Sequence, residues 1–211
     1  TTNIVITLDR APTVVSDDGG TLSEGGATGL INAASGVLAN DSDRDGDSLA
    51  VSAVNGSGVA VNSLVATTYG HIQVNSDGSY SYFADNTGAI DGAPNGSHPL
   101  DVITVTVSDG HGGTTNETLS FTIDRPATAA ADSLSTTENS DAVNGSGGNA
   151  NLLANDQDKD GDSFAITQVN GSGANVGTQI VLASGALLTV NADGTYTYDP
   201  NHAFDYLAAG D

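Results

Sequence analysis

The chain has 211 residues and a formal net charge of −22, because only 4 Lys and Arg residues stand against 26 Asp and Glu residues. This balance excludes nucleic acid and anionic membrane surfaces as partners, since both require a basic protein surface. Cysteine is absent, which excludes disulfides and cysteine chemistry, and no apolar run reaches the ~18 residues of a membrane-spanning helix. The acids are clustered, so we expect a divalent cation to neutralise them, whereas isolated acids fit a solubility-promoting surface.

The sequence repeats itself with a period of about 115 residues. Segment 40–47, Asn-Asp-Ser-Asp-Arg-Asp-Gly-Asp, returns at 155–162 as Asn-Asp-Gln-Asp-Lys-Asp-Gly-Asp. Val-Asn-Gly-Ser-Gly at 54–58 returns at 169–173. A repeat of this length predicts an array of domains rather than a solenoid of short units.

The phase of the repeat sets the predicted domain boundaries. Residues 1–9 match the last strand of a repeat and are predicted to belong to a preceding one. Residues 10–124 form a complete repeat, and 125–211 form a second that lacks its final strands. Because an incomplete sandwich exposes a sheet edge, we expect the missing strands to come from the parent chain or from another molecule.

An acidic loop is the main candidate for chemistry in each repeat. Asp41, Asp43 and Asp45 take its first, third and fifth positions, and a glycine follows. This spacing is expected to curl three carboxylates around one point, as calcium requires, while the glycine permits a sharp turn. Asp47 or a nearby carbonyl adds another oxygen. The second repeat has the same arrangement in Asp156, Asp158, Asp160 and Asp162.

The acidic loop begins like an EF-hand loop but departs from that motif. Its twelfth position is Ser52 in the first repeat and Thr167 in the second, and neither is a bidentate glutamate. No helical pattern flanks the loop, so an EF-hand is rejected. An Asx-turn cluster that only shapes a connection is the alternative. We favour calcium because four carboxylates within seven residues would otherwise repel each other.

Further along the chain, the local pattern indicates β-structure throughout. Asp77-Gly78 and Asp193-Gly194 lie between alternating runs and predict tight hairpin turns. Residues 103–107 and 119–123 alternate apolar with polar side chains, as strands with one buried face do. No helical periodicity is sustained, and one short turn is expected at most, at 203–209. After each hairpin turn, two tyrosines should share one face of the next strand as core packing: Tyr80 with Tyr82, and Tyr196 with Tyr198.

The oxygens that the acidic loop lacks are expected from elsewhere in the fold. Glu24 and Glu138 each precede the loop of their own repeat. Asp109 lies in a predicted turn between the last two strands. Asp9 and Asp124 fall at the predicted junctions, where an ion would clamp adjacent domains.

Catalytic chemistry is not supported by the residues present. The four histidines show no paired ligand spacing, and there is no cysteine, so neither a zinc hydrolase nor a Ser/His/Asp triad is indicated. We therefore predict that the protein is not an enzyme. The histidines are His71, His98, His111 and His202.

The ordered series of motifs resembles a known family. Asn-Asp-x-Asp-x-Asp-Gly-Asp, Val-Asn-Gly, Asp-Gly-Ser/Thr-Tyr-Ser/Thr-Tyr and Val-Ser-Asp-Gly-His-Gly-Gly-Thr follow one another in the first repeat. This series is similar to the cadherin-like (VCBS-type) repeats of giant bacterial surface proteins, which include repeats-in-toxin adhesins and biofilm-associated proteins. The resemblance implies an all-β fold of tandem Ig/cadherin-like β-sandwich repeats.

The resemblance also implies a function. A calcium-stiffened sandwich would act as an extender between a cell anchor and an adhesive tip, with neighbouring repeats as its partners. Export without disulfides, by type I secretion to the bacterial surface or the extracellular space, is implied as well. Two alternatives stay open, namely a ligand-binding adhesive module and a filament subunit that self-associates by strand complementation.

Overall fold

Alternating apolar side chains form strands that bury one face, and the strands group into two compact units. The computed structural model describes residues 8–137, the backbone of 143–144, and residues 151–206. The first unit is Thr1–Pro126 and the second is Ala127–Asp211. Strands dominate both, so the predicted all-β sandwich class is confirmed.

One sheet of the first unit has four strands, in the order β1, β7, β6, β2. β6 and β7 form the antiparallel hairpin that their alternating sequences predict, and the turn between them contains Asp109. β1 pairs with β7 in parallel, from Asp17 opposite Leu119 to Ser23 opposite Asp124. The strands are β1 (Asp17–Ser23), β2 (Ala50–Val54), β6 (Leu100–Ser108) and β7 (Thr114–Asp124).

The second sheet of this unit is antiparallel and has the order β3 (Leu64–Ala66), β4 (His71–Val74), β5 (Tyr80–Phe83). The predicted turn at Asp77-Gly78 joins β4 to β5. Tyr82 is fully buried and stacks on Phe121 of the other sheet, with ring centroids 4.0 Å apart. The tyrosine pair therefore belongs to the core, as predicted, and the core lies between the two sheets.

A short helix, α1 (Thr87–Asp91), was not predicted. Five residues are too few to display helical periodicity, so packing rather than sequence pattern sets this turn. The buried guanidinium of Arg125 donates to carbonyl oxygens at and beyond the end of α1, among them those of Ala93 at 3.1 Å and Ser97 at 3.0 Å.

The second unit contains one antiparallel sheet in the described part of the chain, in the order β8, β11, β10, β9. The turn at Asp193-Gly194 joins β10 to β11, as predicted. Residues 201–206 form turns, and the rest of the turn predicted at 203–209 lies outside the described residues. The strands are β8 (Val143–Asn144), β9 (Ile180–Val181), β10 (Leu187–Val190) and β11 (Tyr196–Asp199).

Candidate metal centre

The acidic loop of the first unit, residues 40–47, is held by its own backbone. Thr13 and Ser42 exchange backbone hydrogen bonds of 2.8 and 3.0 Å, and the Val15 N–H donates to Asp41 Oδ1 at 3.0 Å. Gly46 has a φ of 86°, a conformation that glycine adopts far more readily than other residues. The loop is therefore fixed against the N-terminal segment of the unit.

The carboxylates of this loop face different partners. Asp43 Oδ1 accepts the N–H groups of Asp45 at 2.7 Å and Asp47 at 3.4 Å, which is an Asx turn. Asp45 accepts hydrogen bonds from the backbone and the guanidinium of Arg10. The second oxygens of Asp41 and Asp43 are buried and receive no hydrogen bond from the described residues. The convergence of Asp41, Asp43 and Asp45 on one ion therefore stays a prediction.

The loop meets the β6–β7 turn in a group that we call the turn cluster: Asp9, Asp47, Asp109 and His111. Ligand atoms of Asp9, Asp109 and His111 lie within 4.8 Å of one another, and His111 Nδ1 lies 3.4 Å from Asp47 Oδ2. Partial desolvation, followed by the charges of Asp109 and Asp47, raises the pKa of Asp9. The structure thus brings three predicted ligands together and adds a histidine that had no predicted role.

Asp109 is the centre of the turn cluster. It is 2% exposed, and its Oδ1 accepts the N–H groups of His111 at 2.8 Å and Gly113 at 3.0 Å. Its Oδ2 is buried and receives no hydrogen bond from the described residues. A buried oxygen in this state, together with the carboxylates of Asp9 and Asp47, fits a hard cation such as calcium. The imidazole of His111 suits transition metals better and would lie beside the ion.

The other end of the first unit holds Glu24 and Asp124. The Glu24 N–H donates to the Asp124 carbonyl at 2.8 Å, and Asp124 Oδ1 lies 3.7 Å from His98 Nε2. β1 runs away from the acidic loop, so Glu24 lies roughly 20 Å along the strand from Asp17. The structure therefore does not bring Glu24 to the acidic loop. Glu138, its predicted equivalent, lies outside the described residues.

The second unit builds its acidic loop in the same way. Thr128 and Gln157 exchange backbone hydrogen bonds of 2.7 and 3.0 Å, and the Ala130 N–H donates to Asp156 Oδ1 at 2.8 Å. Asp158 Oδ1 accepts three backbone N–H groups, so it closes the same Asx turn as Asp43. These N–H groups belong to Asp160 at 2.9 Å, Gly161 at 3.0 Å and Asp162 at 3.1 Å.

Two acidic residues that the sequence analysis missed lie beside Asp41. The carboxyl groups of Asp41 and Glu117 approach within hydrogen-bonding range of each other. Burial, followed by the charges of Asp41 and Asp17, raises the pKa of Glu117 to about 8. Burial also raises the pKa of Asp17 to about 6. One sequence signal was present, because Glu117 occupies an inward position in the alternation that continues with Leu119 and Phe121.

With this geometry in place, comparison with known families identifies the fold. The profile of the bacterial cadherin-like domain matches residues 9–125, more than half of the chain. The chain belongs to the bacterial cadherin-like domain family. The profile of the bacterial Ig domain matches residues 124–208. The two matches together confirm the predicted resemblance to a cadherin-like bacterial repeat. Cadherin-like domains generally bind calcium, and the acidic clusters described above offer suitable ligands.

Similar solved structures share little sequence with this cadherin-like chain. One is a nucleoside hydrolase-related hypothetical protein from Saccharophagus degradans that is associated with carbohydrate metabolism. It has 16% identity and a TM-score of 0.33 over 56% of this chain, and the chain spans 26% of that protein's length. A titin A168–A169 fragment has 10% identity and a TM-score of 0.29, over 90% of this chain and 84% of its own. A search of the curated proteins finds no match.

Family membership supports a coarse statement of role. Bacterial cadherin-like and Ig domains indicate a module of an adhesion or surface protein, and such domains are typically non-enzymatic. Within residues 8–137, 143–144 and 151–206, no helix is both long and apolar enough to cross a membrane.

Proposed function

We propose that this chain is a calcium-binding extender region of a large secreted or cell-surface bacterial adhesin, stiffened by the ion for cell adhesion and biofilm formation. The observation that carries the proposal is the turn cluster, in which buried Asp109 has an oxygen beside Asp9 and Asp47 that receives no hydrogen bond from the described part of the chain. Type I secretion of a parent protein related to repeats-in-toxin adhesins is part of the same proposal.

Charge gives the ion its thermodynamic role. At a net charge of −22 the folded chain repels itself, and the turn cluster concentrates three carboxylates at one place. An ion that binds only the folded state stabilises it by about 2.7 kcal/mol when its concentration is 100-fold above the dissociation constant. Calcium would therefore convert local repulsion into folding stability.

The position of the turn cluster explains the proposed stiffening. Asp9 precedes the first strand of the unit, Asp47 belongs to the acidic loop, and Asp109 belongs to the β6–β7 turn. The sheet already joins the segments of Asp47 and Asp109 at this end, because Ala50 of β2 pairs with Ser108 of β6. An ion shared by the three carboxylates would add the segment of Asp9 to this pair. The chain entering the cadherin-like module would then be fixed to it, as a rigid array of neighbouring repeats requires.

Melting curves of the full chain in calcium and in chelator test this function. We expect calcium to raise the midpoint of the wild type by roughly 10 °C at 100-fold excess over the dissociation constant. Asp109→Asn keeps the Oδ1 acceptor but removes the charge, so its midpoint should rise much less. Asp91→Asn makes the same charge change at the exposed end of α1 and should respond like the wild type. A wild-type melting midpoint that is the same in calcium and in chelator would contradict the proposal.

A filament subunit completed by strand exchange is the second candidate. In the second unit, Leu188 and Tyr198 are only half-buried, whereas the matching Ile72 and Tyr82 of the first unit are fully buried. An apolar groove of about 250 Å³ opens on this face, lined by residues that include Leu152 and Val190. An added strand would cover it. Light scattering against protein concentration would show growing particles if this candidate is right and a constant mass if it is wrong.

A further inference from the structure

Glu117 is a buried acid that the proposed turn cluster does not use. It lies on the inward face of β7, opposite the fully buried Val105, and is 3% exposed. Neither of its carboxylate oxygens receives a hydrogen bond from the described residues. Burying a carboxylate without partners is strongly unfavourable, so this side chain calls for a positive group or a proton.

Asp101 shows how the same core treats a buried carboxylate with a purely structural role. It is 1% exposed, and both of its oxygens accept hydrogen bonds. Its partners include the Tyr82 hydroxyl at 2.8 Å and the Tyr69 N–H at 3.0 Å. The described residues offer Glu117 no comparable set of donors, so hydrogen bonding within the protein does not explain its burial.

Two further carboxylates lie near enough to Glu117 for their charges to act on it, and each is only half satisfied. Asp41 Oδ1 accepts the Val15 N–H at 3.0 Å, and Asp17 Oδ1 accepts the Asn40 side-chain amide at 3.1 Å. The second oxygen of each is buried and receives no hydrogen bond from the described residues. The charges that act on Glu117 are those of Asp41 and Asp17, and both are negative.

We propose that Asp17, Asp41 and Glu117 form a second cation site, inside the first unit and separate from the turn cluster. All of its donors are carboxylate oxygens, which is the chemistry of a hard divalent cation and indicates calcium rather than a transition metal. The ion would sit between Asp41 and Glu117, whose carboxyl groups already meet, and Asp17 would complete the set. This proposal goes beyond the proposed function, because it does not depend on the turn cluster.

The site lies where three segments of the unit meet. Asp17 is the first residue of β1, Asp41 belongs to the acidic loop, and Glu117 belongs to β7. Side-chain bonds already join the first and third segments here, because Thr118 Oγ1 donates to Ser16 Oγ at 3.0 Å. An ion would lock the start of the parallel pairing between β1 and β7 and connect it to the acidic loop.

Calcium titration calorimetry on the full chain tests the site by counting ions. We expect Glu117→Gln to bind one calcium ion fewer than the wild type. Asp109→Asn, which alters only the turn cluster, should keep the ion that Glu117→Gln loses. Glu24→Gln makes the same chemical change as Glu117→Gln at the other end of β1 and should keep the wild-type number.

Melting midpoints measured without metal and in excess calcium distinguish a cation site from a pair of carboxyl groups that share a proton. Without metal, Glu117→Gln should melt at or above the wild-type midpoint, because the substitution removes an acid whose ionised form is disfavoured by burial. In excess calcium the order should reverse, with the variant roughly 10 °C below the wild type. Asp17→Asn provides a second variant that keeps the contact with Asn40, and it should behave in the same way if Glu117→Gln does not fold.

The possible outcomes distinguish this site from the proposed function. Equal ion numbers in Glu117→Gln and the wild type would overturn the internal site, and so would equal calcium-induced shifts of their midpoints. If Asp109→Asn alone then loses an ion, the proposed function stands without the internal site. If Glu117→Gln loses an ion and Asp109→Asn does not, the internal site stands and the turn cluster does not bind.

Discussion

Individual acidic residues of this protein differ in how many hydrogen-bond donors reach them. Among the residues that the structure describes, donors reach both oxygens of Asp101, one oxygen of Asp109 and neither oxygen of Glu117, although all three side chains are buried. Because an ionised carboxylate needs donors or a cation, the two proposed calcium sites are placed at these unsatisfied oxygens. Their burial alone does not distinguish these three acids, whereas their hydrogen-bond donors do.

An exposed acid at the β4–β5 turn should make stability depend on pH. Hydrogen bonds from the Ser79 hydroxyl at 2.6 Å and its N–H at 3.0 Å lower the pKa of Asp77. A lowered pKa in the folded state contributes stability above the unfolded pKa, and this contribution is lost as the pH falls through the folded value. We therefore expect Asp77→Asn to lower the urea midpoint at pH 7 but not near pH 2.

The control makes the same chemical change at an exposed acid outside the β4–β5 turn. Asp85→Asn removes an exposed carboxyl group that pairs with His71 Nδ1 at 2.7 Å rather than with a turn hydroxyl. Its difference from the wild type should not follow the protonation of Asp77. An Asp77→Asn deficit that persists unchanged at pH 2 would show that the charge of Asp77 does not strengthen the turn.

At the scale of elements, the hairpin of β6 and β7 positions both candidate sites. Its turn carries Asp109 and His111, and Glu117 follows on the inward face of β7. The parallel pairing of β1 then brings Asp17 to β7, while the acidic loop contributes to both sites through Asp41 and Asp47. The hairpin, the acidic loop and the N-terminal segment with β1 thus create two separate clusters.

Gly36, in the segment before the acidic loop, allows that segment to pack closely against the β4–β5 turn. A Cβ at Gly36 would lie 2.1 Å from the Gly78 carbonyl oxygen, and the Val37 N–H donates to that oxygen at 2.9 Å. Gly36→Ala should therefore push the backbones apart and cost about 1–3 kcal/mol.

Chemical denaturation measures this cost against a matched substitution. A Cβ at Gly88 of α1 would meet no atom within 4 Å, so Gly88→Ala should be neutral or stabilise by up to about 1 kcal/mol. Equal effects of the two substitutions on the urea midpoint would show that the close approach at Gly36 does not matter.

At the scale of the whole molecule, the two units differ in how completely they bury apolar side chains. The core of the first unit includes fully buried residues from both sheets, such as Ile72, Ile103 and Phe121. In the described part of the second unit, the buried apolar residues are Ala186, Val190 and Tyr196. Less apolar burial means less hydrophobic stabilisation, so the second unit should be the less stable one.

Calorimetry of the full chain should therefore resolve two unfolding transitions. Ile103→Val removes one buried methylene from the first unit and should lower the upper transition by about 0.5–1.5 kcal/mol. Val190→Ala, in the second unit, should lower only the lower transition. A single transition that both substitutions shift would show that the two units unfold together.

Sequence by itself determined the features of this cadherin-like protein that depend on neighbouring residues. Period-2 alternation predicted β6 and β7, the Asp-Gly pairs predicted two hairpin turns, and the acidic spacing identified the loops at 40–47 and 155–162. The short helix α1 was not predicted, because five residues are too few to show a helical period.

Tertiary structure alone decided which acids meet. Asp17 and Glu117 lie far apart in the chain, and only the parallel register of β1 with β7 brings them to Asp41. The same register places Glu24 at the opposite end of the unit, away from the acidic loop to which it was predicted to add a ligand oxygen. Strand alternation is set locally, but the direction and register of strands distant in sequence are set by packing of the whole core, and these fix the carboxylate positions.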